Sequence, residues 1–197
     1  MSALAQEKDM KKGRPRSDAS KRAILDATRR LLSHTTVQKL SIEAIAKKAG
    51  VGKTTIYRWW PSKASVAMDA IFTQPGFQNV LPSAPTAAEG IYNQLDKVVA
   101  QLNGKNGRIV AQIISEIQDD YEAVENFHKS FMQERCFELA KLVDQGMKSG
   151  EFRDDIDIET TVDTLMGPII FRLMSGLVMT EDYAEKVITA ILPGIKA

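Results

Sequence analysis

Lys53, Thr54, Tyr57 and Arg58 stand at positions i, i+1, i+4 and i+5, so in a helix they share one face. Each carries a hydrogen-bond donor suited to base edges in a major groove or to phosphate oxygens. No other constellation in the chain offers comparable chemistry. His34 and His128 are far apart, with no cysteine or spaced carboxylates beside them to complete a metal site. Cys136 is the single cysteine, and a small packed side chain explains it better than a redox sensor does. The run Asp154-Asp155-Ile156-Asp157 lacks the loop glycine and closing glutamate of an EF-hand, so it reads as a turn and helix cap. There is no phosphate-cradling glycine loop and no Gly-x-Ser-x-Gly elbow. The reading is of no catalytic residue, no metal and no cofactor.

The elements that must position the four donors are all helical. Ile24, Leu25, Thr28, Leu31 and Leu32 make one stripe, in a helix beginning at Ser20. Ser41 can cap a second helix, with Glu43 in its first turn, Ile42, Ile45, Ala46 and Ala49 inside, and Gly50 ending it. A third follows after Gly50-Val51-Gly52, from about Lys53 to Trp60, anchored by Ile56 and Trp60. Pro61-Ser62 stops it and opens a fourth, through about Phe72. Two short helices around a glycine turn, with small residues at their crossing, form helix-turn-helix geometry.

Residues 74–85 carry three prolines and a glycine without periodicity and mark the boundary between a head, 20–73, and a body, 86–197. The body holds stripes at Ile91 to Leu102 and Ile109 to Ile117. A long helix from Tyr121 to Ser149 follows, then one that Asp157 can cap, and a last one opening at Thr180. No period-two run is present. The fold class is all-α, about nine helices: an N-terminal three-helix helix-turn-helix unit suited to DNA and a helical body.

Charge follows the same division. Residues 1–70 carry 15 Lys and Arg against 6 Asp and Glu, whereas 71–197 carry 11 against 19, within a net charge of +1 for the 197 residues. A basic head on an acidic body suits a chain whose head alone meets phosphates. Residues 1–19, with Lys8, Lys11, Lys12, Arg14 and Arg16 and few large apolar side chains, predict a flexible basic arm. Arginine insertion into a minor groove and plain phosphate attraction both fit Gly13-Arg14-Pro15-Arg16. The absence of an apolar run of about 20 residues argues against a membrane span, and the single cysteine suits a reducing cytoplasm.

The stretch from Ser41 through Ala46, Ala49-Gly50-Val51, Thr55-Ile56-Tyr57, Trp59-Trp60 and Lys63 resembles the DNA-binding motif of the TetR (tetracycline-repressor) family. The likeness spans about residues 20–72. Gly150-Glu-Phe-Arg and Gly167-Pro-Ile-Ile-Phe-Arg resemble segments of one subgroup more weakly, and Thr36-Val37 departs from the usual glycine and aromatic before the second helix. The resemblance implies base-edge contacts from Lys53 and Thr54, phosphate contacts from Thr55, Tyr57, Trp59 and Lys63, and either from Arg58, with Ser41 in the same DNA-facing set.

It also implies a dimeric, ligand-responsive repressor on a pseudo-palindromic operator, with residues 86–197 as its helical ligand-binding and dimerisation domain and an unidentified small-molecule effector. Val162, Leu165, Ile169 and Leu173, with Val187, Ile188 and Ile191, form dense apolar sides on the last two helices. Two such sides exceed what one small body can bury, which points to a homodimer interface. Pro168 inside the first of them predicts a kink. The other reading, an enzyme or small-molecule carrier with an incidental basic head, lacks any recognisable catalytic set.

Overall fold

The computed structural model describes residues 14–78 and 83–197, with side chains from Asp18 onward. Its helices are α1 (Arg14–Leu32), α2 (Ile42–Ala49), α3 (Lys53–Tyr57), α4 (Lys63–Phe72), α5 (Ala87–Leu102), α6 (Gly104–Ile117), α7 (Tyr121–Phe127), α8 (Gln133–Ser149), α9 (Ile158–Ser175) and α10 (Tyr183–Ile195). A π-helical turn, His128–Met132, joins α7 to α8, so the two continue one rod from Tyr121 to Ser149 as the periodicity predicts. The described residues thus form nine rods, without a named strand.

Local chemistry sets the ends of these rods. The hydroxyl oxygens of Ser41, Ser62 and Thr86 accept the backbone N–H of Ala44, Ser65 and Glu89, capping α2, α4 and α5. Asp157 accepts the N–H of Thr160 at 2.7 Å and opens α9. Gly50, at φ 69°, takes the left-handed conformation that ends α2, which a side chain would resist.

Some boundaries differ from those read off the sequence. The first helix begins at Arg14 rather than Ser20, which takes residues 14–19 out of the flexible arm. Pro15 permits this, since a proline in a helix's first turn forfeits no intrahelical bond. Residues 1–13 lie outside the described residues. Helix α3 ends at Tyr57, and the N–H groups of Trp59 and Trp60 both bond the Ile56 carbonyl, tightening the turn before Pro61.

α2 and α4 pack on α1, α3 packs on α2, and α5 and α8 form the centre of the body, with α6, α9 and α10 against them. Buried side chains of head and body form one continuous cluster. The expected dimer stripe belongs to this core. Val162, Leu165, Ile169, Leu173, Val187 and Ile188 are buried within the single chain, and Ile191 packs half-buried against the same cluster. The expectation that one body cannot cover both sides is therefore corrected: α5, α6 and α8 bury them. Pro168 lies inside α9, where its carbonyl accepts from the Tyr183 hydroxyl at 3.3 Å.

Candidate nucleic-acid interface

The reading helix α3 is held by its inner side. Ile56 and Trp60 are buried, and the Trp60 indole N–H donates to Asp69 of α4 at 3.0 Å. Asp69 also receives Lys21 of α1 at 3.4 Å, and the Lys21 ammonium lies 5.6 and 5.7 Å from the Trp59 and Trp60 ring centres. Cation, ring and carboxylate thus tie α1 and α4 to the turn that ends α3. Spacing alone shows nothing of Lys21, since its partners are distant in sequence.

The outer side is free to touch a partner. Lys53, Thr54 and Arg58 are exposed, Tyr57 is 53% and Trp59 39% exposed, and Thr55 is half-covered. Two aromatic side chains left this open beside exposed cations suit a charged polymer better than a solvated surface. Lys53 donates to Glu43 at 3.0 Å; that hydrogen bond raises the lysine's pKa and lowers the glutamate's, so both stay charged.

Ser41 and Lys63 are placed differently from the rest. Ser41 is half-buried, with its oxygen committed to capping α2. The Lys63 ammonium lies 2.9 Å from Glu116 of α6 and 3.0 Å from the Gln38 carbonyl, so in the free chain it joins head to body. The side chains of Arg14 and Arg16 lie outside the described ones.

Further joints run between the same two parts. The Val37 N–H donates to Gln112 of α6 at 2.9 Å, and Phe72 at the end of α4 stacks on Phe131 with ring centres 4.7 Å apart. Within the body, the Glu151 carboxylate accepts the Ala87 and Ala88 N–H groups at 2.8 and 3.0 Å, fixing the start of α5. The thiol of Cys136 is half-buried, and burial pushes its pKa up, as suits a packed side chain. No group of His, Cys, Asp or Glu among the described residues could hold a metal ion, and no helix among them is long and apolar enough to cross a membrane.

A second helix presented across a glycine turn, with donors outward and its anchors buried, defines a helix-turn-helix DNA-binding transcriptional regulator. Residues 24–68 match the family model "Bacterial regulatory proteins, tetR family", and residues 82–191 match "Tetracyclin repressor-like, C-terminal domain". The chain belongs to the TetR family. It is 29% identical over 188 residues to the uncharacterized HTH-type transcriptional regulator YdeS of Bacillus subtilis, covering 95% of each chain. Among solved structures, the TetR family regulator SCO0332 superposes with a TM-score of 0.72 at 24% identity, over 91% of this chain and 100% of that one. FadR of Bacillus subtilis, solved with stearoyl-CoA, gives 0.69 at 18% identity, over 88% and 98%.

Proposed function

We propose that the protein is a ligand-responsive repressor that binds a pseudo-palindromic operator as a homodimer in the cytoplasm. The observation that carries this reading is the outward face of α3, where Lys53, Thr54, Tyr57 and Arg58 stand exposed on a helix anchored from behind. Lys53 and Thr54 meet base edges; Thr55, Tyr57 and Trp59 meet phosphates, with Arg58 serving either. Lys63 reaches phosphate once it leaves Glu116, Ser41 fixes the approach of α2, and Arg14 and Arg16 extend the contact from the start of α1. The head, 20–73, is the reading unit, and the body, 86–197, holds effector and partner.

The dimer face is the outer side of α9. Thr160, Thr164, Gly167, Phe171 and Met174 recur at i, i+4, i+7, i+11 and i+14, and all are exposed, Phe171 at 65%. That is a helix-pairing seam. A Cβ added to Gly167 would meet nothing, so a second copy can approach its backbone closely. Phe137 of α8, also exposed, extends the apolar surface on the element packed beside α9. A two-fold axis here sets the two reading helices about 34–36 Å apart, or a multiple of it, matching half-sites in successive major grooves.

The effector reading is supported by FadR, a protein of this fold solved with stearoyl-CoA. Footprinting on DNA upstream of the protein's own gene tests the whole. Two protected half-sites in a sequence-dependent complex are expected, whereas weak, sequence-blind binding overturns it.

A further inference from the structure

Arg135 sits on α8, one turn beyond the π-helical segment, and is only 2% exposed. Its guanidinium donates to the Phe131 carbonyl at 2.8 Å, the Phe77 carbonyl at 3.0 Å and the Gln101 side-chain oxygen at 2.7 Å. All of these acceptors are neutral. Its Nε has no partner, and its terminal nitrogens meet only those neutral oxygens. Burial lowers its pKa to about 10, which leaves the group charged at neutral pH. A buried cation with no carboxylate in contact, only the charge of neighbouring Glu134 acting at a distance, is costly, and a π-turn that re-aims the side chains after it is a frequent mark of a functional site.

A second observation lies on α5. Gln94, seven residues before Gln101 and so on the same face, is fully buried, and neither atom of its amide has a partner. Orphaned amides of this kind are rare in native interiors. The two polar spots lie about 10 Å apart along α5, with the buried apolar side chains of Leu95, Val98 and Leu102 on the same helix. A single positive charge matches a single negative one, and the ring cluster of Phe72, Phe77, Phe127 and Phe131 beside it suits an apolar body.

We infer that the body binds an amphipathic monocarboxylate, its acid group paired with Arg135 and its apolar part running along α5 toward Gln94. The inference rests on the ligand-responsive reading and gives it a chemical class and a path. Arg135 grips the Phe77 carbonyl, in the segment that follows α4, and Phe72 of α4 stacks over Phe131. An arriving carboxylate competes for the donors that hold Phe77, which frees the segment behind α4 and the reading head it carries. The acid then prefers the loosened state, and that preference is the coupling.

Calorimetry and melting of the full chain with decanoate and 2-naphthoate, each against its neutral amide, test this. At least one acid is expected to bind below about 1 mM, roughly tenfold or more tighter than its amide, and to release operator DNA. Arg135→Met removes the acid preference and Arg135→Lys retains part of it. The wild-type comparison of acid with amide decides the matter even where Arg135→Met does not fold. Acids that bind no better than amides, or not at all, while operator binding is intact, overturn this inference and leave the repressor reading standing. Failure to bind operator DNA at all overturns the repressor reading instead.

Discussion

The Lys53 ammonium rests 3.0 Å from the Glu43 carboxylate, tying the first residue of the reading helix to the first turn of the helix before it. Both side chains are exposed, so the pair adds little to stability. Its consequence lies at the DNA, where Lys53 must exchange this carboxylate for a base edge or a phosphate, and where Glu43 itself opposes the approach. Glu43→Gln is therefore expected to tighten binding to all DNA by roughly three- to tenfold, mostly in the association rate. Fluorescence anisotropy across a salt series measures it. Unchanged affinity would mean that Lys53 leaves Glu43 at no cost and that the Glu43 charge lies clear of the DNA.

Arg58 and Tyr57 share the outward face but carry different information. Arg58→Ala is expected to weaken the best operator by roughly 10- to 100-fold and to relax preference at one base position. Tyr57→Phe loses affinity evenly, because a phosphate contact does not read sequence. Selection of preferred sites from a random pool separates the two outcomes. An unaltered motif for Arg58→Ala would assign that arginine to the backbone.

What the sequence made legible here was local. Ser41, Ser62, Asp157 and Gly50 act within a few residues of themselves, so their caps and turn could be named from spacing. Ile56 and Trp60 were legible for the same reason. Periodicity showed that α9 and α10 each bury a side, but not against what, and Leu173 and Ile188 went to this chain's own core. The joints Lys63–Glu116 and Arg135–Phe77 pair residues more than fifty positions apart, where no spacing rule operates.

Gly146 shows how a short motif can depend on a distant absence. Its carbonyl accepts the N–H groups of Glu151 and Phe152, and a Cβ on it would run into the Phe152 ring, which is buried. Gly146→Ala forces that ring out of the core or bends α8, an overpacking cost of about 1–3 kcal/mol. Chemical denaturation reads this directly. A gain in stability, as expected of alanine in an unconstrained helix, would show that the ring moves freely.

The assembly prediction turns on which side of α9 a substitution strikes. Leu173 faces inward and is buried, so Leu173→Ala should cost about 2–5 kcal/mol of folding stability whether or not the chain is paired. Phe171, two residues earlier, faces outward and touches little in the single chain, so Phe171→Glu should leave the fold intact. It places a charge in the proposed seam on both copies at once, because a two-fold interface repeats every change. The expected product is a folded monomer that has lost most of its operator affinity, since each head alone meets one half-site. Gly167→Leu should act likewise by blocking close approach of the helices, though its side chain meets no obstacle within its own chain. Sedimentation at micromolar concentration, with helicity and melting measured alongside, distinguishes the cases. A Phe171→Glu protein that remains dimeric and binds its operator normally would move the interface away from this face of α9.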